Sequence, residues 1–175
     1  MTEQARMEFL KKVPAFAGVE DDGVRRLARI CKSVEMQAGD AIIKEGEQGD
    51  CVFIIEEGQV EVSMAITMGR SPWDEEAAAM DKVLVKLGPG TMFGEMAFIF
   101  DQDVRSATIV ALTPGKLLSI SSADFQRLAG EDVHSAYRIV LNIAKIIATR
   151  LRKTNQDVKK LTTVLTIALR RPRKP

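Results

Sequence analysis

The sequence predicts an α+β chain in which two short helices precede a β-sandwich or β-roll and one long helix follows it. Three observations carry this reading. Apolar residues fall at helical spacing before residue 33. Short apolar runs broken by glycines extend from Val34 to about Ile120. A heptad pattern then starts at Val140. With 175 residues, 46% hydrophobic and 28% charged, the chain suits one domain plus an appendage, and this balance excludes a disordered, collagenous or wholly coiled-coil protein.

Residues 8–13 and 22–32 are the expected short helices, parted by Pro14 and the Ala17-Gly18 turn. In the second, Val24, Leu27, Ala28, Ile30 and Cys31 share one broad face. The expected strands are residues 41–43, 51–55, 60–66, 82–87, 107–112 and 116–120, with glycines at the corners. Residues 67–81 interrupt this rhythm and read as an insertion in a hairpin, with a helical turn at 75–79. Trp73 lies within it, either packed locally or covering a ligand. From Asp124 the period is helical again. Val140, Ala144, Ile147, Leu151, Thr154, Val158, Leu161, Leu165 and Ala168 are separated by alternating steps of four and three, a heptad seam. A helix of about 38 residues runs roughly 57 Å, past the edge of a compact roll, so a homodimer through this helix is expected; the alternative is a helix folded back on its own domain. The chain divides into residues 1–128, the roll with its N-terminal helices, and 129–175, the long helix and a basic tail.

With 25 basic and 24 acidic side chains, the chain has no overall field to hold nucleic acid. Only the tail Arg170-Arg171-Pro172-Arg173-Lys174-Pro175 is a basic cluster, and it reads as a solvated terminus. The two cysteines, Cys31 and Cys51, without a secretory leader or a membrane-spanning apolar run, point to a cytoplasmic protein that contacts no membrane. The single histidine, His134, cannot build a His-based triad or a His-rich metal site, and it reads as an ordinary surface or core residue. No catalytic and no metal-binding residues are expected.

The most informative stretch is Leu87-Gly88-Pro89-Gly90-Thr91-Met92-Phe93-Gly94-Glu95-Met96-Ala97, followed by Arg105-Ser106-Ala107-Thr108. A glycine-rich turn leads into a helical turn at Gly94-Glu95, whose unpartnered N–H groups suit an anion. Arg105, on a strand sharing its inward face with Ala107, Ile109 and Ala111, places a permanent cation inside, which requires a partner. A phosphodiester accepts the guanidinium fork, and a carboxylate such as Glu95 accepts a sugar hydroxyl. Together they describe a phosphorylated ribose. A structural Glu95–Arg105 ion pair is the competing account.

These residues resemble the cyclic nucleotide-binding domains of catabolite activator-type regulators, protein kinase regulatory subunits and cyclic nucleotide-gated channels. The resemblance runs from about Phe9 through the C-terminal helix and includes Gly39-Asp40, Glu45-Gly46, Gly49-Asp50, Phe53-Ile54-Ile55, Gly58 and Val60. Its specific part is Phe93-Gly94-Glu95-Met96-Ala97 with Arg105-Ser106-Ala107-Thr108, similar to the family's phosphate-binding cassette. It implies a double-stranded β-helix, a jelly-roll-like β-roll with short N-terminal helices and a long C-terminal dimerisation helix. It also implies that Glu95 binds the ribose 2′-hydroxyl and that Arg105 and Ser106 bind the cyclic phosphate. Gly94, the amides near Met96 and Ala97, and Ala107 belong to the cradle, while Val62 and Leu84 wall the purine. The ten-residue interval from Glu95 to Arg105 is similar to the bacterial activator branch. Arg150-Leu151-Arg152-Lys153-Thr154-Asn155 resembles the stretch in which those activators present a threonine and a serine to adenine across the dimer; Thr154 matches the threonine, and Asn155 replaces the serine.

The resemblance therefore implies a non-catalytic sensor that binds cAMP in preference to cGMP, needs no cofactor, and passes a change in helix packing to a partner protein. A hydroxyl at Thr154 in an apolar seam is accounted for by the purine or by a register-setting role. No helix-turn-helix follows the long helix, so no direct DNA-binding domain is expected. The alternative is the sensor fragment of a longer DNA-binding regulator. Held in reserve are a dimerisation module with a degenerate site and a phosphodiesterase-like enzyme.

Overall fold

A computed structural model describes residues 2–68, 78–100 and 104–170. The first helix, α1 (Glu3–Leu10), starts five residues before the expected one, because the Thr2 hydroxyl accepts a hydrogen bond from the Ala5 amide and nucleates a turn of polar residues. A 3-10 turn (Pro14–Phe16) and α2 (Asp21–Ile30) follow. The strands are β1 (Lys32–Met36), β2 (Ala41–Ile43), β3 (Cys51–Glu57), β4 (Val60–Met68), β5 (Ala78–Leu87) and β6 (Met92–Phe93). After the short α3 (Glu95–Phe100) come β7 (Thr108–Ala111), β8 (Gly115–Ser121), α4 (Ser122–Glu131) and α5 (Val133–Arg170). Two expectations are refined. β1 and β6 were not anticipated, and Ala78 and Ala79 lie in β5 rather than in a helical turn. Trp73 and the rest of that turn lie outside the described residues.

The strands form two antiparallel four-stranded sheets, ordered β1-β8-β3-β6 and β2-β7-β4-β5, the jelly-roll. The first sheet is covered on both faces. Ile55, Phe93 and Leu117 join Ile43, Val60, Ile109 and Ala111 between the sheets. Val52, Ile54, Met92, Leu118 and Ile120 meet Leu10, Phe16, Val24, Leu27 and Leu128 from the helices. Burial on both faces is why residues 51–55 and 116–120 read as continuous apolar runs, whereas β7 alternates.

The long helix is fixed to the roll at its N-terminal third. Asp132 breaks the chain between α4 and α5, four residues beyond the boundary expected after Leu128, and its Oδ1 accepts from the Ser135 amide at 3.0 Å. A Cβ on Gly23 would stand 2.1 Å from Ser135 Oγ, so α2 and α5 touch closely there. Asn142, buried, donates from Nδ2 to the carbonyls of Ala15 (3.2 Å) and Ala17 (2.8 Å). Ala136, Ile139 and Ile143 complete the seat. From Leu151 to Leu169 every residue of the helix is exposed, so it does not fold back on its own domain. Hydrogen bonding to Ser135 lowers the Asp132 pKa below 3.8, so this cap stabilises the fold above the ordinary carboxylate value and is lost as pH falls through the lowered one. Asp132→Ala is expected to cost about 1 kcal/mol, measured by urea unfolding at pH 7, with the difference shrinking in acid.

Candidate functional site

Phe93-Gly94-Glu95 is held in place from the sheet. Phe93 pairs with Phe53 across β6 and β3, and their rings stack with centroids 5.4 Å apart. The preceding turn is pinned by Gly90 N–H to Ile55 O at 2.8 Å and Ile55 N–H to Thr91 O at 3.0 Å. Gly94 then takes φ +79°, and a Cβ there would lie 2.8 Å from Arg105 Nη1 and 3.2 Å from Cys51 O. Both the backbone conformation and the space demand glycine. α3 follows directly, with Met96 and Ala97 in its first turn.

Arg105 enters from the other side, three residues before β7. Its backbone is fastened to the loop ahead of β3 by Arg105 N–H to Glu47 O (2.8 Å) and Gly46 N–H to Arg105 O (2.9 Å). The side chain is 7% exposed. Nη1 donates to Gly94 O at 3.1 Å and Nη2 to Cys51 O at 2.9 Å, with Cys51 Sγ at 3.5 Å. Two carbonyls orient the fork, and among the described residues no carboxylate pairs with it. The expected alternative of a Glu95–Arg105 ion pair is therefore not formed. Gly49, read from the sequence as a turn maker, is a clearance: a Cβ there would stand 2.0 Å from Arg105 Nε. Burial raises the pKa of the Cys51 thiol, with the Arg105 charge opposing the rise.

Glu95, 9% exposed, is paired instead with the long helix. Arg150 Nη1 lies 2.5 Å from Glu95 Oε1, and its Nη2 donates to Met92 O at 2.6 Å. This contact joins residues 55 positions apart, and no local sequence pattern announces it; the sequence placed Arg150 only within the base-recognition stretch. Ser106 is exposed with Oγ 3.6 Å from Met96 Sδ, and Ala107 is half-buried.

Val62 and Leu84, the expected purine wall, lie on either side of a β-bulge. Val62 pairs with Val85 and Ser63 with Val83, so Leu84 is the extra residue of the bulge. Val62 packs partly against the inter-sheet core, and Leu84 is 52% exposed. On the helix, Thr154 and Asn155 are exposed, and Thr154 Oγ1 donates to Arg150 O at 3.1 Å. The Thr154 hydroxyl thus has a partner in its own helix, so its presence in the seam does not require a purine. The structure gathers Gly94, Glu95, Met96, Ala97, Arg105, Ser106 and Arg150 around one turn; Thr154 and Asn155 lie one helical turn beyond Arg150. Among the described residues no cluster of His, Cys, Asp and Glu is placed to hold a metal ion, and no helix is long and apolar enough to cross a membrane.

Residues 33–132 match the family model of the cyclic nucleotide-binding domain. The cGMP-dependent protein kinase egl-4 of Caenorhabditis elegans is 32% identical over 71% of this chain, which spans 15% of the kinase. The CRP-like cAMP-activated global transcriptional regulator of Mycobacterium tuberculosis is 26% identical over 88% of this chain and 62% of that protein. Among solved structures, the N-terminal domain of a transcriptional regulator from Streptomyces coelicolor A3(2) superposes with a TM-score of 0.66 at 29% identity, covering 86% of this chain and 94% of the other.

Proposed function

Since this chain belongs to the cyclic nucleotide-binding domain family, we propose that it is a cAMP sensor which reports ligand binding through the packing of its C-terminal helix in a homodimer. The observation that carries the proposal is the buried Arg105 guanidinium, preset on two carbonyls and without a carboxylate partner among the described residues. A cyclic phosphate supplies a negative charge to this guanidinium, on the exposed side where Ser106 stands. The ribose 2′-hydroxyl donates to Glu95. Since Glu95 is already held by Arg150, a ribose there acts directly on a side chain of α5. Ligand then favours whichever helix arrangement best shares that carboxylate, with a coupling of about 1–3 kcal/mol for a useful switch.

The names of the relatives point to both cAMP and cGMP, and the preference for cAMP rests on Thr154. Its hydroxyl proton is committed to Arg150 O, which leaves acceptor lone pairs. These accept from the 6-amino group of adenine, whereas the 6-oxo group of guanine would require Thr154 to abandon its own bond. The heptad seam supports the dimer: Val140 is 50%, Leu151 57% and Leu161 66% exposed in a single protomer.

Calorimetric titration with cAMP and cGMP tests the proposal; the wild-type chain is expected to bind cAMP more tightly. Absence of binding by either nucleotide would leave a dimerisation module with a degenerate site. In Thr154→Ala the ratio of the two affinities is expected to fall toward one, and an unchanged ratio removes the helix from base recognition. The second reading, a sensor segment of a longer DNA-binding regulator, is favoured by the 29% identity to the regulator's N-terminal domain. It is tested by whether the native reading frame continues past Pro175.

A further inference from the structure

Arginine carries its N–H donors on one rigid plane. In Arg105, Nη1 uses one hydrogen on Gly94 O and Nη2 one on Cys51 O. Nε and the second hydrogen of each Nη remain for a ligand, and where they point depends on what the plane rests against. It rests against Gly49. An ideal Cβ on Gly49 would overlap Nε and Cζ of Arg105 and stand 2.5 Å from Nη2, so the three atoms nearest to it all belong to this one side chain.

The guanidinium is the part of this contact that can move. The chain is tied down on both sides of Gly49: Gln48 bridges Val104, Glu47 O accepts from Arg105 N–H at 2.8 Å, and Asp50 O accepts from Ser122 N–H at 2.7 Å. Some of these bonds also hold the Arg105 backbone. A methyl group on Gly49 would therefore push the guanidinium off its two carbonyls, by about 1 Å or more to reach ordinary contact, whereas a preorganised site tolerates about 0.5 Å. The backbone does not itself demand glycine here. Gly94 sits at φ +79°, where any side chain is strained, but Gly49 lies outside the left-handed region. Gly49 is needed for what lies over it rather than for the turn.

We propose that Gly49 is a positioning residue for phosphate recognition: its bare Cα is the recess in which the Arg105 guanidinium lies, and it fixes the plane and depth at which the remaining donors meet the cyclic phosphate. This rests on the phosphate role proposed for Arg105 and adds a residue that acts only through that side chain.

Calorimetric titration of Gly49→Ala with cAMP and cGMP, with thermal unfolding of Gly49→Ala, Arg105→Ala and the double variant, tests it. Gly49→Ala is expected to weaken both nucleotides by the same factor, since the phosphate is common to them. That factor is at least about tenfold, the worth of one charge-assisted hydrogen bond. Its melting temperature is expected to fall as well. In the Arg105→Ala background the same methyl group is expected to leave the melting temperature undiminished, because the atoms it displaces are gone. Wild-type affinity in Gly49→Ala, while Arg105→Ala loses binding, overturns the positioning role and leaves the phosphate role of Arg105 standing. A wild type that binds neither nucleotide overturns both. An equal drop in melting temperature in the two backgrounds means that the methyl group collides with something other than the guanidinium, and overturns the assignment. If Gly49→Ala alone does not fold, a folded double variant supports the recess and an unfolded one overturns it.

Discussion

Arg105→Ala is expected to weaken cAMP binding by about two to four orders of magnitude. Two charge-assisted hydrogen bonds to the phosphate, at about 1.5–3 kcal/mol each, disappear together. The same truncation strips Gly94 O and Cys51 O of their buried donors, so a loss of about 1–3 kcal/mol in stability accompanies it. Arg105→Lys separates the two effects. It keeps a cation within the site but cannot span both carbonyls and present a fork, so it is expected to bind more weakly than wild type and more strongly than the alanine variant. Calorimetry on the three proteins, alongside thermal unfolding, reads both quantities. Equal cAMP affinity in wild type and Arg105→Ala would remove Arg105 from the site.

Leu151→Glu is expected to convert the proposed dimer into monomers. Leu151 is 57% exposed in one protomer, at a core position of the seam and next to Arg150. In a parallel pair its two copies face each other, so two carboxylates would meet across a desolvated seam. Because Thr154 is proposed to act across the dimer, the monomer is also expected to lose its preference for cAMP over cGMP. It retains phosphate recognition, since Arg105 and its carbonyl supports belong to the roll. Light scattering with paired titrations checks both outcomes. A dimer that survives the substitution would move the interface off this seam.

The parts of the molecule that were legible in the sequence are those whose cause is local. The apolar stripe of α2, the runs that became β3, β4, β7 and β8, and the uninterrupted period of α5 each follow from burial by one or two neighbouring layers. The candidate cassette was legible because its glycines and charges sit close together in the chain. β1 was not, since four of its five residues are exposed and little alternation marks it; nor was β6, which has only two residues. The start of α1 was missed because its first turn is polar and held by a single hydroxyl cap.

The site itself was half legible. Charge and spacing pointed to Arg105 and Glu95, and both are buried. What they bind within the chain was not readable. The carbonyls that orient Arg105 belong to residues whose side chains carry no signal for it, and Glu95 finds its cation 55 positions away. The weighing of a Glu95–Arg105 pair came from their closeness in sequence. Packing decides otherwise, because Asn142 and the contacts of Gly23 with Ser135 seat α5 so that Arg150 reaches the carboxylate. The bulge between Val62 and Ser63, which leaves Leu84 unpaired, was not readable from the sequence either, because it depends on the register of β4 against β5.

A crystal structure of the full chain grown with excess cAMP tests the central claim most directly. The account predicts two phosphate oxygens within hydrogen-bond distance of the Arg105 guanidinium, with the ribose 2′-hydroxyl on Glu95. Nucleotide bound elsewhere, with the Arg105 fork still resting only on the carbonyls of Gly94 and Cys51, would contradict it.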